Sequence, residues 1–391
     1  MSPAPCLARN TLRLLTRCRL RPDLRLVYHS SSPNPVRSFA STEIVKMEAV
    51  KNTLVENLGG VFQKLASADQ QFDIEKDVPD LSGKVALVTG GSEGIGYATS
   101  FMMLKNNLAK LYIISLSQET FDGCLKDITE KLGAPYAQKV TWIRCDLADQ
   151  IAVTRAAKQV SDSTERLDIL VLNAARGIMT YQVDEQSGID RHMMASHVGH
   201  VTLTSHLLKL LKTTADKHGK VRIQAQSSNA HQGAPKDTKF ASIEELNQDL
   251  GPNGQYGRAK LAVLLYMRYL DRHLHTAHPN ILCNATHPGI VETKMSTKDI
   301  HEPYPIAGTI MSVFMKPLKK DQWEGSASTL YAATATNNSG EYICPPKTVE
   351  AGSELANDAQ LGEQLMKLTR EIISSKYGEQ SVQKGCPLKD Y

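Results

Sequence analysis

Seven short apolar runs, separated by stretches long enough to carry a chain back across a sheet, constrain this sequence more than any other feature. They are KVALV (84–88), KLYII (110–114), KVTWI (139–143), LDILVL (167–172), KVRIQA (220–225), NILCNA (280–285) and EYI (341–343). Short runs rich in Val, Ile and Leu, apolar at successive positions, read as strands covered on both faces. The mixed segments between the early runs have the length a helical crossover needs. The rhythm predicts one α/β domain: a single doubly wound sheet of seven mostly parallel strands with helices on both faces. Apolar residues make up 41% of the chain, enough to fill such a core.

The first run leads directly into TGGSEGIG (89–96), with glycines at 90, 91, 94 and 96. In a doubly wound sheet of the Rossmann type, a dinucleotide binds at this turn from the first strand into the first helix. Gly90 permits the tight turn, Gly94 lets the backbone approach a pyrophosphate, and Gly96 lets helix and strand pack closely. The phosphates would rest on the N–H groups and positive end of a helix beginning near Ile95. A glycine-rich turn alone is a weak signal. Its position after a strand, before a helix and at the head of the alternation makes it specific.

Further motifs follow in order: CDLAD (145–149), LNAA (172–175), QSSNAH (226–231), YGRAK (256–260) and HPGIVET (287–293). Together with the T-G-x-x-x-G-I-G turn, this set resembles the short-chain dehydrogenase/reductase superfamily. SHVGHVTLT (196–204), EGSASTLYAAT (324–334) and SELANDAQLGEQL (353–365) are similar to its retinol-dehydrogenase and WW-oxidoreductase branch. The resemblance covers residues 72–375. It implies NAD(P) bound by Gly90, Ser92, Gly94, Ile95 and Gly96, by Ser115, and by Asp146 and Leu147, with Asp146 touching the adenine ring. Asn173, Ala174, Tyr256, Lys260, Pro288, Gly289, Val291 and Thr293 complete the implied set.

A carbonyl that accepts a hydride becomes an alkoxide and needs a proton donor. Free tyrosine, with a pKa of about 10, releases its proton reluctantly near neutrality. A lysine at i+4 lies on the same helix face, and its ammonium stabilises tyrosinate. Tyr256 and Lys260 have this spacing, so Tyr256 is the expected general acid/base and Lys260 the group expected to lower its pKa. Ser228, at the end of the fifth strand, is by resemblance the hydroxyl that holds the substrate oxygen. The family's fourth catalytic residue is an asparagine on the central helix. Here Ser196, in ASHVGH, stands in its place and reaches less far. Gln224 and Gln226 are a second departure: two amides on one face of a strand expected to be apolar, which need hydrogen-bond partners. His197 and His200 stand three apart, but the family motif carries both without metal, and no metal site is expected.

Cofactor choice depends on the end of the second strand. An acid there binds the ribose 2′-hydroxyl of NAD, whereas arginine accepts the 2′-phosphate of NADP. IISLSQ (113–118) has Leu116 at that position. Glu93 would repel a phosphate and Ser115 and Ser117 would bind one weakly. The habit of the branch tips the expectation slightly to NADP.

The formal charge of +4 is unevenly distributed. Residues 1–41 hold seven arginines, no lysine and one acid, Asp23, which leaves the remainder net negative. No nucleic-acid partner is expected of such a body. The first 41 residues read as a mitochondrial transit peptide directing the chain to the matrix, with Leu12, Leu14, Leu15, Leu20 and Leu24 set against the arginines. Residues 42–80 should form an amphipathic helix and linker, 81–378 the Rossmann domain and 379–391 a tail. Apolar stretches such as LAVLLYM (261–267) are too short for a membrane span. Seven cysteines without a C-x-x-C pair predict free thiols. The methionine-rich YPIAGTIMSVFMKPL (304–318) is either a lid over a hydrophobic substrate or a helix packed on the core. The expected function is NAD(P)-dependent interconversion of a hydrophobic alcohol and its ketone or aldehyde through Ser228, Tyr256 and Lys260. Ser196 favours the alternative, a low-activity cofactor sensor or scaffold of the same fold. A homo-oligomer is compatible with the sequence.

Overall fold

The computed structural model describes residues 71–291 and 320–377. The expected transit peptide over residues 1–41, residues 42–70, Thr293, the methionine-rich stretch 304–318 and the tail lie outside the described residues. The chain alternates as its sequence predicts: β1 (Val85–Thr89), α1 (Gly94–Lys105), β2 (Lys110–Ser115), α2 (Gln118–Leu132), β3 (Val140–Arg144), α3 (Gln150–Ser163) and β4 (Ile169–Leu172). A π-helical turn (Met194–Val198) then runs into α4 (Gly199–His218), followed by β5 (Val221–Gln226), a 3₁₀ turn (Asn229–Gly233), α5 (Gly251–Leu274) and β6 (Ile281–Thr286). The last elements are α6 (Gln322–Leu330), β7 (Tyr342–Cys344), β8 (Thr348–Glu350) and α7 (Ala359–Tyr377).

One sheet has the order β3-β2-β1-β4-β5-β6-β7-β8. The expectation of seven strands is corrected to eight, because β8 pairs antiparallel with β7 while the rest run parallel. β8 is a three-residue edge strand with Val349 exposed, so no apolar run announces it. Every residue of β1, β4, β5 and β6 is buried, as strands covered on both faces must be. The helices α3, α4, α5 and α7 bury one face of the sheet, and α1, α2 and α6 the other. Phe72 and Val78 already belong to the second layer, and the Phe72 ring meets Tyr331 edge-on at 5.4 Å. Packing therefore begins upstream of residue 81.

The two anomalous glutamines have partners from other elements. Gln224 Nε2 donates to Thr286 Oγ1 of β6 at 2.6 Å, and Gln226 Oε1 accepts from Thr329 Oγ1 of α6 at 2.6 Å. They tie the strand to its neighbour and to the helix above it. At the amino ends of the strands, the buried Asp168 accepts two bonds from Arg166, both at 2.8 Å, and one from the Val85 N–H at 2.9 Å. Strand order reverses between β1 and β4, and the crevice at their carboxyl ends is where such sheets bind ligands.

Candidate active site

At that crevice the glycine turn is held from both sides. The Gly90 N–H donates to Ile114 O of β2 at 2.7 Å, and Asn173 Nδ2, just past β4, donates to Thr89 O at 3.1 Å. Gly90 and Gly94 have φ of +63° and +56°, a left-handed backbone that favours glycine. A Cβ on Gly96 would lie 2.1 Å from Gly90 O, so no side chain fits between helix and turn. Ser92 is buried and Ile95 partly so. The helix α1 starts at Gly94 with Glu93 as an extended N-cap that makes no side-chain cap. First-turn N–H groups aimed from a closely approached backbone are the donor set a pyrophosphate requires. These residues fit a dinucleotide.

Thr89 organises the far side of the turn, a role sequence reasoning missed. Its hydroxyl accepts from the N–H groups of Asn173 and Ala174 at 2.9 and 3.0 Å, and lies 2.9 Å from His200 Nε2. His200 Nδ1 is 3.0 Å from Ser196 O. One tautomer satisfies both contacts: Nδ1–H donates to Ser196 O, and Nε2 accepts from Thr89. Burial holds His200 at about 3, so the ring is neutral. His197 is likewise held at about 3 by burial and bonds Thr369 of α7 at 2.9 Å. Among the described residues no cluster of His, Cys, Asp or Glu could hold a metal, and Cys124, Cys145, Cys283 and Cys344 are buried.

Ser228, Tyr256 and Lys260 come together at the ends of β5 and α5. Gly257 makes this possible, since a Cβ there would lie 2.7 Å from Ala230 O of the 3₁₀ turn. Glycine inside a helix costs about 1 kcal/mol relative to alanine. This close approach is what it serves here. The Lys260 Nζ sits 5.5 Å from the Tyr256 ring centre and donates to Gln226 O at 2.7 Å. Burial pushes the Tyr256 phenol up to about 12, with the hydrogen-bonded Ser228 hydroxyl pulling the other way. Burial lowers Lys260 to about 7. Desolvation is the largest influence on both groups, and the Lys260 amine bonds a carbonyl rather than the phenol. His231 fixes the Ser228 backbone, its Nδ1 donating to Ser228 O at 2.7 Å while Nε2 accepts from the Ser353 N–H at 3.0 Å.

Ser196 sits within the π turn, where its hydroxyl accepts from the Arg176 N–H at 3.3 Å. Asp146 has both oxygens engaged, by the Ala148 N–H at 2.9 Å and by Arg191 at 2.7 Å. Leu147 is seated by Gly199, whose Cβ would fall 2.1 Å from Leu147 O. Ser115 ends β2, and its hydroxyl accepts from Trp142 Nε1 at 2.9 Å. Pro288, Gly289 and Val291 follow β6 at the same edge. Gly289 has φ +79°, and Val291 bridges to Lys320. Gly199 and Gly257 were legible in principle, as glycines inside helical patterns that mark close contact.

A doubly wound sheet with this cradle is the architecture of an NAD(P)-dependent oxidoreductase, and the chain belongs to the short-chain dehydrogenase/reductase family. The family model for short chain dehydrogenases matches residues 84–243. The chain is 50% identical over 349 residues to the mitochondrial oxidoreductase bli-4 of Neurospora crassa, covering 88% of this chain and 84% of that one. It is 32% identical over 318 residues to the short chain dehydrogenase/reductase dpchH of Colletotrichum higginsianum, covering 76% of each. A crystal structure of a Mycobacterium paratuberculosis protein shares the fold, with a TM-score of 0.58 and 22% identity, covering 77% of this chain and 97% of that one.

Proposed function

We propose that this protein interconverts a hydrophobic alcohol and its ketone or aldehyde, with NADP as the preferred cofactor, in the mitochondrial matrix. The observation that carries the reading is the junction of Ser228, Tyr256 and Lys260 beside the glycine cradle. NADPH supplies the hydride when bound. Tyr256 delivers its proton to the substrate oxygen, Ser228 donates a hydrogen bond to that oxygen, and Lys260 in its ammonium form eases the charge left on the tyrosine. In the reverse direction Tyr256 takes the alcohol proton. Asn173, Ala174, Pro288, Gly289 and Val291 frame the cofactor on either side, and Ser196 supports the first turn through the His200–Thr89 chain. The methionine-rich sequence 304–318 and the exposed Ile290 support an apolar substrate. Matrix location rests on the arginine-rich first 41 residues and on the mitochondrial relative.

A panel of hydrophobic carbonyls and alcohols, assayed with both cofactors, tests the reading. Tyr256→Phe should bind NADPH as the wild type does and lose activity by a factor of about 10² or more. Equal turnover in the mutant would remove Tyr256 from the mechanism. A wild type that binds NADPH but turns over nothing in the panel would favour the sensor reading that Ser196 raises.

A further inference from the structure

Leu116 occupies the position after β2 where a cation would read a 2′-phosphate, and it is 55% exposed. The adjoining edge strand offers a cation instead. Arg144, the last residue of β3, pairs in register with Ser115, the last residue of β2. Neighbouring strands lie about 4.8 Å apart, within the span of an arginine side chain. Side chains two apart on a strand share a face. Trp142, two residues before Arg144, donates to Ser115 Oγ and stacks on Phe121 of α2 at 5.1 Å. Arg144 therefore leaves the sheet on the α2 side, one pleat nearer the carboxyl edge, opposite the residue that precedes Leu116.

Arg144 is exposed, and its guanidinium makes no ion pair or hydrogen bond among the described residues. The next carboxylate along the chain, Asp146, is already held by Arg191. The serines are engaged too, Ser115 with Trp142 and Ser117 with the Thr120 N–H at the start of α2. A planar guanidinium matches phosphate geometry in two parallel bonds. We propose that Arg144 is the 2′-phosphate ligand of this chain, supplying from β3 the cation that β2 lacks and so selecting NADP. Glu93, exposed at the N-cap of α1, acts against it. The preference is the balance of these two charges. The inference rests on the NAD(P) reading above.

Binding, not turnover, tests it. The full chain is titrated with NADPH and with NADH by nicotinamide fluorescence, at low and high salt. The wild type should bind NADPH about tenfold or more tightly than NADH, with a gap that narrows as salt screens the phosphate contact. Arg144→Gln should weaken NADPH about tenfold or more and leave NADH within about twofold, the loss of one charge-assisted contact. Arg144→Lys should recover part of the loss, keeping the charge without the fork. A wild type indifferent to the phosphate, or a Gln variant that loses both cofactors equally, overturns the assignment. A wild type that binds neither overturns the cofactor reading itself, which sets that failure apart from failure of Arg144 alone.

Discussion

Two glycines would receive an added methyl very differently. At Gly96 it would lie 2.1 Å from Gly90 O and 2.6 Å from Asn173 Nδ2, so the turn or the helix must move. At Gly123, exposed on α2, it would meet nothing within 4 Å. Gly96→Ala should therefore weaken NADPH binding about tenfold or more, because relieving the clash opens the cradle by more than hydrogen-bond lengths tolerate. Gly123→Ala should leave binding unchanged and raise stability by about 0.5–1 kcal/mol, since alanine is the better helix former and restricts the unfolded chain. Fluorescence titration and urea unfolding of the two variants side by side decide the matter. Wild-type affinity in Gly96→Ala would mean that the close approach serves packing alone.

Among elements, the pairing of β1 with β4 carries the most. At its amino end the two strands share Asp168, whose carboxylate takes the Arg166 fork and the Val85 N–H, with Lys84 at 3.7 Å. Asp168→Ala should cost about 3 kcal/mol, the scale of removing one partner from a buried ion pair, and leave the remaining affinity for NADPH unchanged, because the cradle lies at the opposite ends of the strands. Urea unfolding measures the first and titration the second; a loss below about 1 kcal/mol would show that Arg166 finds water instead. Much of this level was legible beforehand. Strand runs, crossover lengths and the glycine turn are local properties, and the sequence displays them directly. What depends on strand neighbours was not legible. Thr89 meets His200 and Asn173 only because β4 lies beside β1, and Gln224 and Gln226 find hydroxyls on β6 and α6, far along the chain. The surroundings of Tyr256 were hidden for a related reason: spacing shows a lysine one turn away, but not how thoroughly both groups are desolvated.

At the scale of the whole molecule, buried histidines make the fold resist protonation. His197 and His200 lie one turn apart where the π turn runs into α4, His287 follows β6, and burial holds each at about 3 against an ordinary value of 6.5, with cationic or imidazole neighbours adding a little. Their folded values lie below the unfolded one. The unfolded chain therefore takes up protons the native chain refuses, and stability contributed above pH 6.5 is lost as pH falls toward 3. Each tenfold difference in proton affinity between the two states is worth about 1.4 kcal/mol. Urea midpoints should fall steadily from pH 7 through about pH 4.5, and His287→Gln should lessen the slope. A flat midpoint across that window would show that the native fold accepts the protons. The reversal of strand order also bears on how the chain is made. Because β1 pairs with β4, everything through Leu172 must be synthesised before β1 loses its second open edge. Until then a growing polypeptide presents an apolar strand with unpaired backbone along one side, the kind of surface that chaperones cover. The nucleotide cannot shield that edge early, since its cradle borrows Asn173 from across the same seam. Its binding energy reaches only chains in which β4 has joined β1, which makes the dinucleotide a check on that pairing rather than a template for it.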